Sequence, residues 1–538
     1  MPTPQVLLSP EAGTRLKRGF DQLADLLALT LGPTQGEIVS HNPAGTELER
    51  LSDAATIARR IMQLPDRGED VGAMLLRNLV WRVHQRVGDG CATTAVLAQA
   101  IFHEAHRAVA AGANPMTLRR GLREATTAVL NALEAQARPI AGEADLIRVA
   151  QSVTTEPDLS LVLGEMFALL GPDAHVTVED YMAPYLEREY LEGGRWKGRL
   201  ASRLLITDPK RKRALLSNCP VILFDGEIET LEALRPMVEL LARLEYDKLA
   251  LIARKIKGEA LQALVANHQQ ENLEVVAAEL IRPGDKGAAD LEDLAALTGA
   301  QVLGTIPGES LRRISPKALG RAQRVEADTN ETLSVVGDAS QNIVLREQVA
   351  TLRRRLDALP VSETEAQEAL RQRLARLTGS SGVLKIGAYT KHERSVRRQK
   401  AEKALRALPF ALREGVVPGG GVGYLNCIPA VEAMSVTDTE EQWSHRIIAN
   451  ALEAPFRRIV RNTGRAEPGA LLAEARRRGA GFGYNAIADE VVDMRASGIL
   501  DAAGILRVAL ETAVSGAVMA LTTDVTVLRR RPQKSFEP

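Results

Sequence analysis

Apolar residues recur every three to four positions through the N-terminal part of the chain, which is the spacing of amphipathic helices. The repeating pattern is interrupted by helix-stop signals such as Gly32-Pro33 and Gly112-Ala113-Asn114-Pro115. The predicted helices cover residues 10–31, 53–62, 71–87, 93–111 and 116–137. The pattern therefore predicts a helical N-terminal region.

The middle of the chain has a different pattern, in which short apolar runs alternate with helical segments. This alternation is typical of α/β domains. The predicted strands lie at residues 176–178, 204–206, 221–224, 249–252 and 273–276, and predicted helices at 230–244 and 258–268. Residues 343–377 predict a helical hairpin, and helices dominate again from residue 395. The order helical, α/β, helical predicts one domain inserted into another.

Composition and charge are those of an ordinary globular protein of several domains. Hydrophobic residues make up 45% and charged residues 25% of 538, and Lys+Arg equals Asp+Glu at 68 each. Zero net charge and 3% aromatic residues argue against a nucleic-acid partner. The basic run Lys210-Arg211-Lys212-Arg213 is better explained as a solvated loop.

The three cysteines and the length of the apolar runs indicate the cellular compartment in which the protein is expected. No Cys-x-x-Cys pair occurs, so neither a zinc site nor a disulfide framework is indicated. There is no secretory leader and no uninterrupted apolar run of the ~20 residues that a membrane span needs. We therefore expect a cytoplasmic protein without a membrane partner.

Two glycine clusters could carry chemistry. Gly88-Asp89-Gly90 opens a helix, where exposed amides attract anions and the carboxylate could hold Mg²⁺ against phosphate oxygens. The alternative is a tight turn between two helices. Gly419-Gly420-Gly421 would let a ligand or a helix pack closely, or would form a flexible loop. His103 and His106 could share a metal, but without a nearby third ligand a solvated helix face is favoured.

Together with their neighbours, these clusters resemble motifs of the group I chaperonins, the GroEL-type family. The matching motifs are Thr30-Leu31-Gly32-Pro33, Gly88-Asp89-Gly90 with Thr93-Thr94, Ala110 to Met116, Glu414 to Gly421, Tyr484-Asn485-Ala486, Gly498 to Asp501 and Leu521-Thr522-Thr523. They keep their order along essentially the whole chain, and the central region matches more loosely. The chain is thus identified as a divergent member of the family.

The resemblance implies a multidomain α and α/β fold. A helical equatorial domain would comprise residues 1–137 and 415–538, an intermediate hinge domain 138–191 and 382–414, and an inserted α/β apical domain 192–381. In the family, subunits form seven-membered rings, often stacked back to back. ATP binding moves the apical domains, which hold non-native polypeptides and then a lid-like co-chaperonin. The resemblance implies the same partners here.

The resemblance also implies a nucleotide site. The residues that match the family's ATP contacts are Thr30, Leu31, Gly32, Pro33, Asp89, Gly90, Cys91, Ala92, Thr93, Gly420, Asn485, Ala486 and Asp501. Among them, Asp89 matches the Mg²⁺ ligand and Asp501 the carboxylate that binds ribose. Asp53 matches an acidic residue near the terminal phosphate and is the catalytic candidate. The implied cofactors are ATP and Mg²⁺, with K⁺ as a further candidate.

One departure from the family bears on ATP hydrolysis. The family's hydrolytic aspartate lies about sixteen residues before the glycine run, and ungapped alignment puts Lys403 there. An ammonium with an ordinary pKa of about 10.4 cannot accept a proton from water near pH 7. Glu402 lies about 100° away round a helix and is an imperfect substitute. We expect ATP binding with weakened hydrolysis; the alternative is a local alignment slip, or slow hydrolysis sustained by Asp53.

The expected client-binding surface departs too. Val238, Leu261, Val265 and Ala266 match apolar positions on two apical helices, whereas Arg235 stands where an aliphatic residue is expected. Ordinary helix packing is the alternative for each apolar residue. The expected function is an ATP-dependent chaperone that assists folding or refolding of non-native proteins in a ring. The alternatives are a nucleotide-binding paralogue in mixed rings and a scaffold without refolding activity.

Overall fold

The computed structural model divides the chain into two compact units. The residues it describes are 5–34, 36, 38–41, 48–51, 53–61, 63–191, 193–304, 314–329, 331–337, 343–359, 363–435 and 438–528. One unit, here the terminal unit, comprises Met1–Pro172, Asp180–Glu187 and Lys385–Pro538. The other, the inserted unit, comprises Asp173–Glu179 and Arg188–Leu384.

The N-terminal part of the terminal unit is built mainly from helices. These are α1 (Glu11–Ala28), α2 (Ala54–Arg60), α3 (Arg67–Val87), α4 (Cys91–Ala110), α5 (Pro115–Gln136), α6 (Glu143–Thr154) and α7 (Pro157–Leu170). The strands are β1 (Gln5–Leu8) and an antiparallel hairpin of β2 (Ile38–His41) and β3 (Leu48–Leu51). The helices predicted up to residue 137 are confirmed, with ends within about one turn of the prediction.

Helices α1 and α3 cross with their backbones in direct contact. A Cβ atom at Gly19 would lie 1.7 Å from the Glu69 carbonyl oxygen, and one at Gly72 would lie 1.9 Å from the Leu16 carbonyl oxygen. Only glycine permits this approach. The apolar face of α1, which includes Phe20 and Leu23, is fully buried as a result.

The central part of the chain alternates strands and helices. Its elements are β4 (His175–Asp180), β5 (Leu186–Leu191), β6 (Gly194–Leu200), β7 (Arg213–Ile228), α8 (Leu231–Arg243), β8 (Lys248–Ile256), α9 (Gly258–Gln269), β9 (Glu274–Leu280), α10 (Gly284–Thr298), β10 (Val302–Leu303), β11 (Gly320–Asp328), β12 (Thr332–Gly337), α11 (Ile343–Ala358), α12 (Thr364–Thr378) and β13 (Ser381–Ile386). The chain passes from one unit to the other between Pro172 and Asp173, before β4, and again within β4, β5 and β13.

The prediction of a strand at residues 204–206 is wrong. Arg203–Leu205 form a short 3₁₀ turn, in which the Leu204 amide donates a hydrogen bond to the Ser202 hydroxyl at 3.2 Å. A serine hydroxyl that accepts from a nearby backbone amide competes with strand pairing. The other predicted strands fall within β4, β7 and β8 or, for residues 273–276, begin one residue before β9, and the helical hairpin is α11 and α12.

A seven-stranded sheet organises the inserted unit, with strand order β10-β7-β11-β12-β6-β9-β8. β7 pairs in parallel with β8, and β8 with β9, while β11 pairs antiparallel with β7. Because β7 pairs with both β11 and β8, the pairings of six strands form a closed circuit. Residues on β8, such as Leu251 and Ile252, have no exposed surface and form part of the core.

Buried ion pairs join α10 to α12 in the inserted unit. Asp293, which has no exposed surface, accepts hydrogen bonds from Arg373 at 2.7 and 2.9 Å. Asp290, 1% exposed, accepts one from Arg376 at 2.9 Å. An unpaired charge at these positions would cost several kcal/mol, about 3–5 when one partner of a buried pair is removed. The pairs therefore fix how the hairpin packs on α10.

The C-terminal part of the chain returns to the terminal unit. Its elements are α13 (Lys391–Glu414), β14 (Val416–Pro418), α14 (Val422–Leu425), α15 (Ile428–Glu432), α16 (Thr439–Asn462), α17 (Pro468–Arg478), β15 (Phe482–Asn485), β16 (Glu490–Asp493), β17 (Leu500–Ala502), α18 (Ala503–Leu521) and β18 (Val525–Leu528). β18 pairs antiparallel with β1, and β14 with β17. The two ends of the described chain are thus joined in one small sheet.

Helix α18 is the apolar centre of the terminal unit. Among the described residues it is the helix long and apolar enough to cross a membrane, but 72% of its most apolar window is buried inside the protein. It packs against α3, α4 and α5, which is the position of a core helix. The division into two units does not separate the predicted equatorial and intermediate parts, so the three domain boundaries stay a prediction.

Candidate functional site

Segments from both ends of the chain meet at a cavity of about 770 Å³ in the terminal unit. This volume lies in the range of small-molecule sites. Every residue predicted to contact ATP lies on its wall, and so do Asp53 and Lys403. Thr94 lies behind the wall, since it has no exposed surface and its hydroxyl donates to the Gly90 carbonyl at 2.9 Å.

The turn before α4 forms one end of the cavity. Gly90, at φ 80°, caps α4 in the left-handed region, and a Cβ there would lie 2.9 Å from Ile505 Cγ2. No side chain caps the first turn of α4, so the amides of its first residues have no side-chain acceptor. Unsatisfied amides at a helix N-terminus attract anions. This end of the cavity suits a phosphate group.

Lys403 lies between two carboxylates of the wall. Its Nζ is 2.9 Å from an Asp89 oxygen and 3.8 Å from an Asp53 oxygen. Burial by itself would raise the pKa of Asp53, but the Lys403 charge and hydrogen bonds from Thr56 outweigh it and lower this pKa. Burial likewise opposes the charge on Lys403, yet Asp89 and Asp53 raise the pKa of Lys403 above its ordinary value. The ammonium is therefore held charged.

Glu402, the neighbouring carboxylate, points to a different partner. It accepts a hydrogen bond from Arg398 at 3.0 Å, one turn earlier on α13. Asp53 in turn caps α2, since it accepts hydrogen bonds from the Thr56 amide at 2.9 Å and from the Thr56 hydroxyl at 3.0 Å. Both carboxylates, Glu402 and Asp53, therefore already accept hydrogen bonds that compete with their use as a base for water.

Sequence reasoning missed an aromatic and basic part of the wall. His84 stacks on Trp81 with ring centroids 5.1 Å apart, and Arg59 lies 4.5 Å from the Trp81 centroid. His84 Nε2 lies 3.0 Å from Arg406 Nη1. Burial, aided by Arg406 and Lys403 and opposed by Asp53, lowers the pKa of His84 to about 4, so this ring is neutral at pH 7. The spacing of Trp81 and His84 on one helix face was the available signal.

Positive side chains outnumber negative ones on the wall. The cationic residues are Arg59, Arg60, Arg148, Lys400, Lys403 and Arg406, and the anionic residues are Asp53, Asp89, Glu402 and Asp501. A cavity with this balance favours a multiply charged anion.

The other end of the cavity combines a carboxylate with apolar surface. Asp501, on β17, accepts a hydrogen bond from the Gly420 amide. Burial, with a contribution from the Asp89 charge, raises the pKa of Asp501 to about 7. The Asn485 side chain accepts from the Ile487 and Ala488 amides at 3.0 and 3.2 Å. Ile487, missed by sequence reasoning, is 80% exposed beside the cavity and offers a face for an aromatic base.

The donor set at Asp89 does not fit the predicted Mg²⁺ ion in this arrangement. Mg²⁺ takes oxygen ligands at about 2.0–2.1 Å, whereas the Asp89 carboxylate already carries the Lys403 ammonium. The described residues contain no group of three or more His, Cys, Asp or Glu side chains that could hold a metal ion. His103 Nε2 lies 2.5 Å from an Asp21 carboxylate oxygen and 3.1 Å from Lys17 Nζ.

Residues predicted to bind clients differ in exposure within the inserted unit. Ala266 is exposed, whereas Val238 and Leu261 are half-buried against the core. Val265 is only 8% exposed and belongs to the core, so helix packing explains this residue. Arg235 is exposed and pairs with Glu239 at 2.8 Å. The outward face of α8 is thus more polar than expected.

The architecture and the cavity together define a class of protein. Its members combine a helical unit formed by both chain ends, an inserted α/β unit, and a cavity in the helical unit, which in this chain is lined by more cationic than anionic side chains. Residues 23–174 and 226–531 match the model of the TCP-1/cpn60 chaperonin family. The chain therefore belongs to this family.

Solved structures agree with the family assignment. The chain is similar to the chaperonin gp146 of bacteriophage EL, crystallised in the presence of ATP-BeFx. In one crystal form the TM-score is 0.68 at 16% identity, and in a second it is 0.60 at 17% identity. Each match covers 98% of this chain and 99% of the other. The predicted multidomain α and α/β chaperonin fold is confirmed.

Proposed function

We propose that this protein is an ATP-binding chaperonin that assists the folding of non-native proteins in a ring and hydrolyses ATP slowly. The observation that carries the proposal is the position of Lys403, which reaches both Asp89 and Asp53 inside the cavity. The cavity is suited to a nucleotide, while the residue at the expected place of the hydrolytic base is a cation.

In this proposal the phosphates lie at the N-terminus of α4 and the ribose lies near Asp501. The α4 amides and the surrounding cations would stabilise the phosphate charge. Asp501 would accept hydrogen bonds from ribose hydroxyls. The base would pack near Asn485, Ala486 and the exposed Ile487 side chain. The ATP-BeFx present in the phage chaperonin crystals supports a nucleotide as the ligand of this family member too.

Slow hydrolysis follows from the charges that surround the reacting phosphate. General base catalysis typically contributes a factor of about 10²–10⁴, and a charged ammonium cannot provide it. Lys403 would instead stabilise the negative charge of bound ATP. Asp53 stays a catalytic candidate, although its lowered pKa makes it a weaker base. The bound ATP would therefore be hydrolysed slowly and would stay at the site for a long time.

Self-association is supported by an exposed apolar surface on the β1–β18 sheet. Val6, Leu8, Val525 and Val527 are 50, 61, 46 and 57% exposed. Alternation along both strands brings these side chains to one face. Exposed contiguous apolar surface marks an interaction site. We propose that this face contributes to contacts between subunits in the ring.

Client and co-chaperonin binding are proposed for the inserted unit. Leu204 and Leu231 are 61 and 53% exposed and would supplement Ala266 as apolar contacts. The exposed Arg235–Glu239 pair would favour clients that are less apolar. A cytoplasmic compartment, a K⁺ ion and a lid-like co-chaperonin stay predictions. Cys91 donates a hydrogen bond from its thiol to the Val80 carbonyl at 3.6 Å, and a neutral thiol is a poor K⁺ ligand.

Four measurements on the purified protein test the proposal. Calorimetric titration should show ATP binding, and phosphate release should be slow at saturating ATP. Light scattering should show a ring-sized assembly, and a denatured client should regain activity when the protein and ATP are present. Absence of ATP binding would refute the proposal. Binding without client recovery would favour a scaffold, and recovery only in the presence of an active chaperonin would favour the paralogue in mixed rings.

A further inference from the structure

We propose that the Lys403 ammonium takes the place of a divalent cation at the nucleotide site, so that ATP binds without Mg²⁺. This inference rests on the proposed nucleotide-binding function. It starts from the observation that Asp89, which is paired with Lys403, does not fit a Mg²⁺ ligand in this arrangement.

The backbone of α13 holds Lys403 against the turn that carries Asp89. A Cβ at Gly88 would lie 2.6 Å from Arg406 Cβ and 3.0 Å from the Lys403 carbonyl oxygen, so the turn packs directly on this helix. The same stretch of α13 is packed into the protein interior, because Ala404 and Ala407 have no exposed surface. The packing of the α13 backbone therefore positions the Lys403 ammonium next to Asp89.

The ammonium and a divalent cation would compete for one position. A magnesium ion on Asp89 would bind about 2.1 Å from a carboxylate oxygen, and Nζ lies 2.9 Å from such an oxygen. The two cations would then lie within about 5 Å of each other and repel strongly in a partly buried site. Lys403 also lies 3.8 Å from Asp53, so its single positive charge offsets part of the negative charge of the two carboxylates, which would otherwise repel phosphate.

Neighbouring cations complete the neutralisation that Mg²⁺ ordinarily provides. Arg406, one turn after Lys403 on α13, and Lys400, one turn before it, both lie on the cavity wall, where Lys400 Nζ also pairs with a Glu156 carboxylate oxygen at 2.8 Å. The phosphate chain would therefore meet a row of cations along one helix. ATP in its metal-free form carries the charge that such a row complements.

The test is a calorimetric titration of the full-length protein with ATP, in EDTA and in excess Mg²⁺. We expect affinities that agree within about threefold for the wild-type protein. Lys403→Met should weaken ATP binding in EDTA by about tenfold or more and make it depend on Mg²⁺. Circular dichroism and light scattering would establish that the variant keeps its fold and assembly.

A matched control lies outside the cavity in the same unit. Lys17 Nζ pairs with Asp21 at 2.7 Å, with side chains 29 and 21% exposed, close to the 26 and 28% of Lys403 and Asp89. Lys17→Met should leave metal-independent ATP binding unchanged. Wild-type binding that requires Mg²⁺, or a Lys403→Met variant as metal-independent as the wild type, would overturn the inference but leave the proposed function. Absence of binding in both solutions would overturn both.

Discussion

Lys403 Nζ lies 2.9 Å from an Asp89 carboxylate oxygen, and this ion pair joins α13 to the turn before α4. The two residues are more than three hundred positions apart in the chain. Under the proposed function, this ion pair stands where a base and a metal ligand are expected, and it would favour retention of bound ATP over ATP hydrolysis.

Restoring a carboxylate at this position should restore ATP hydrolysis. In Lys403→Asp a base replaces the ammonium, so we expect phosphate release in Mg²⁺ to rise by at least about a hundredfold, the lower end of the range of general base catalysis. Lys403→Met removes the ammonium without supplying a base and is the matched comparison. Equal rates for the two variants would show that a carboxylate here does not act as the base.

Stability should depend on pH through Asp501. Burial raises the pKa of Asp501 to about 7 in the folded protein, whereas an unfolded aspartate has a pKa near 3.9. Between about pH 4 and pH 7 the folded state keeps a proton that the unfolded state has lost. The stability contributed by this group therefore falls as pH rises through this window.

The neutral variant Asp501→Asn should not lose stability through this group as the pH rises. We expect its free energy of unfolding to match the wild type near pH 4 and to exceed it by about 2 kcal/mol at pH 8. A shift of three pKa units corresponds to about 4 kcal/mol. We expect about half of this free energy, because Asp501 is partly exposed and water screens its charge. Chemical denaturation without nucleotide at the two pH values measures it. A difference that does not grow with pH would contradict the raised pKa.

The crossing of α1 and α3 should not tolerate a methyl group. Gly19→Ala would place Cβ 1.7 Å from the Glu69 carbonyl oxygen, and separating the helices should cost about 3 kcal/mol. Gly13→Ala, on the same helix, meets its nearest atom only at 4.0 Å. This control should be neutral or stabilise by about 0.5 kcal/mol. Thermal unfolding of the two variants tests the contrast, and similar melting temperatures would refute it.

The inserted unit should depend on the Arg373–Asp293 ion pair. Burial raises the pKa of Asp293 even beside Arg373, so removing the cation should leave a costly carboxylate. We expect Arg373→Met to destabilise the protein by about 3 kcal/mol. Arg235→Met removes an exposed pair, with side chains 77 and 56% exposed, and should change the stability little, because water screens an exposed ion pair. Denaturant titration distinguishes the two, and equal losses would contradict the burial argument.

Local sequence patterns predicted secondary structure where one signal dominated. The helix ending before Gly32 and the strand at Leu249–Ile252 follow from periodicity and stop signals, and both are confirmed. The failure at Leu204 has a local cause as well. The Ser202 hydroxyl stabilises a turn here, whereas the apolar run of three residues that follows has the pattern of a strand.

The sequence by itself determined the order of the helical and α/β regions, the family resemblance and the residues expected at the site. Periodicity and glycine motifs depend on neighbours in the chain, so they can be recognised without coordinates. Only the tertiary structure decided that Lys403 reaches Asp89 and Asp53, that His84 is neutral, and that Val265 is core. These properties depend on distance and burial between segments far apart in the chain, and Coulomb interactions and desolvation change steeply with both.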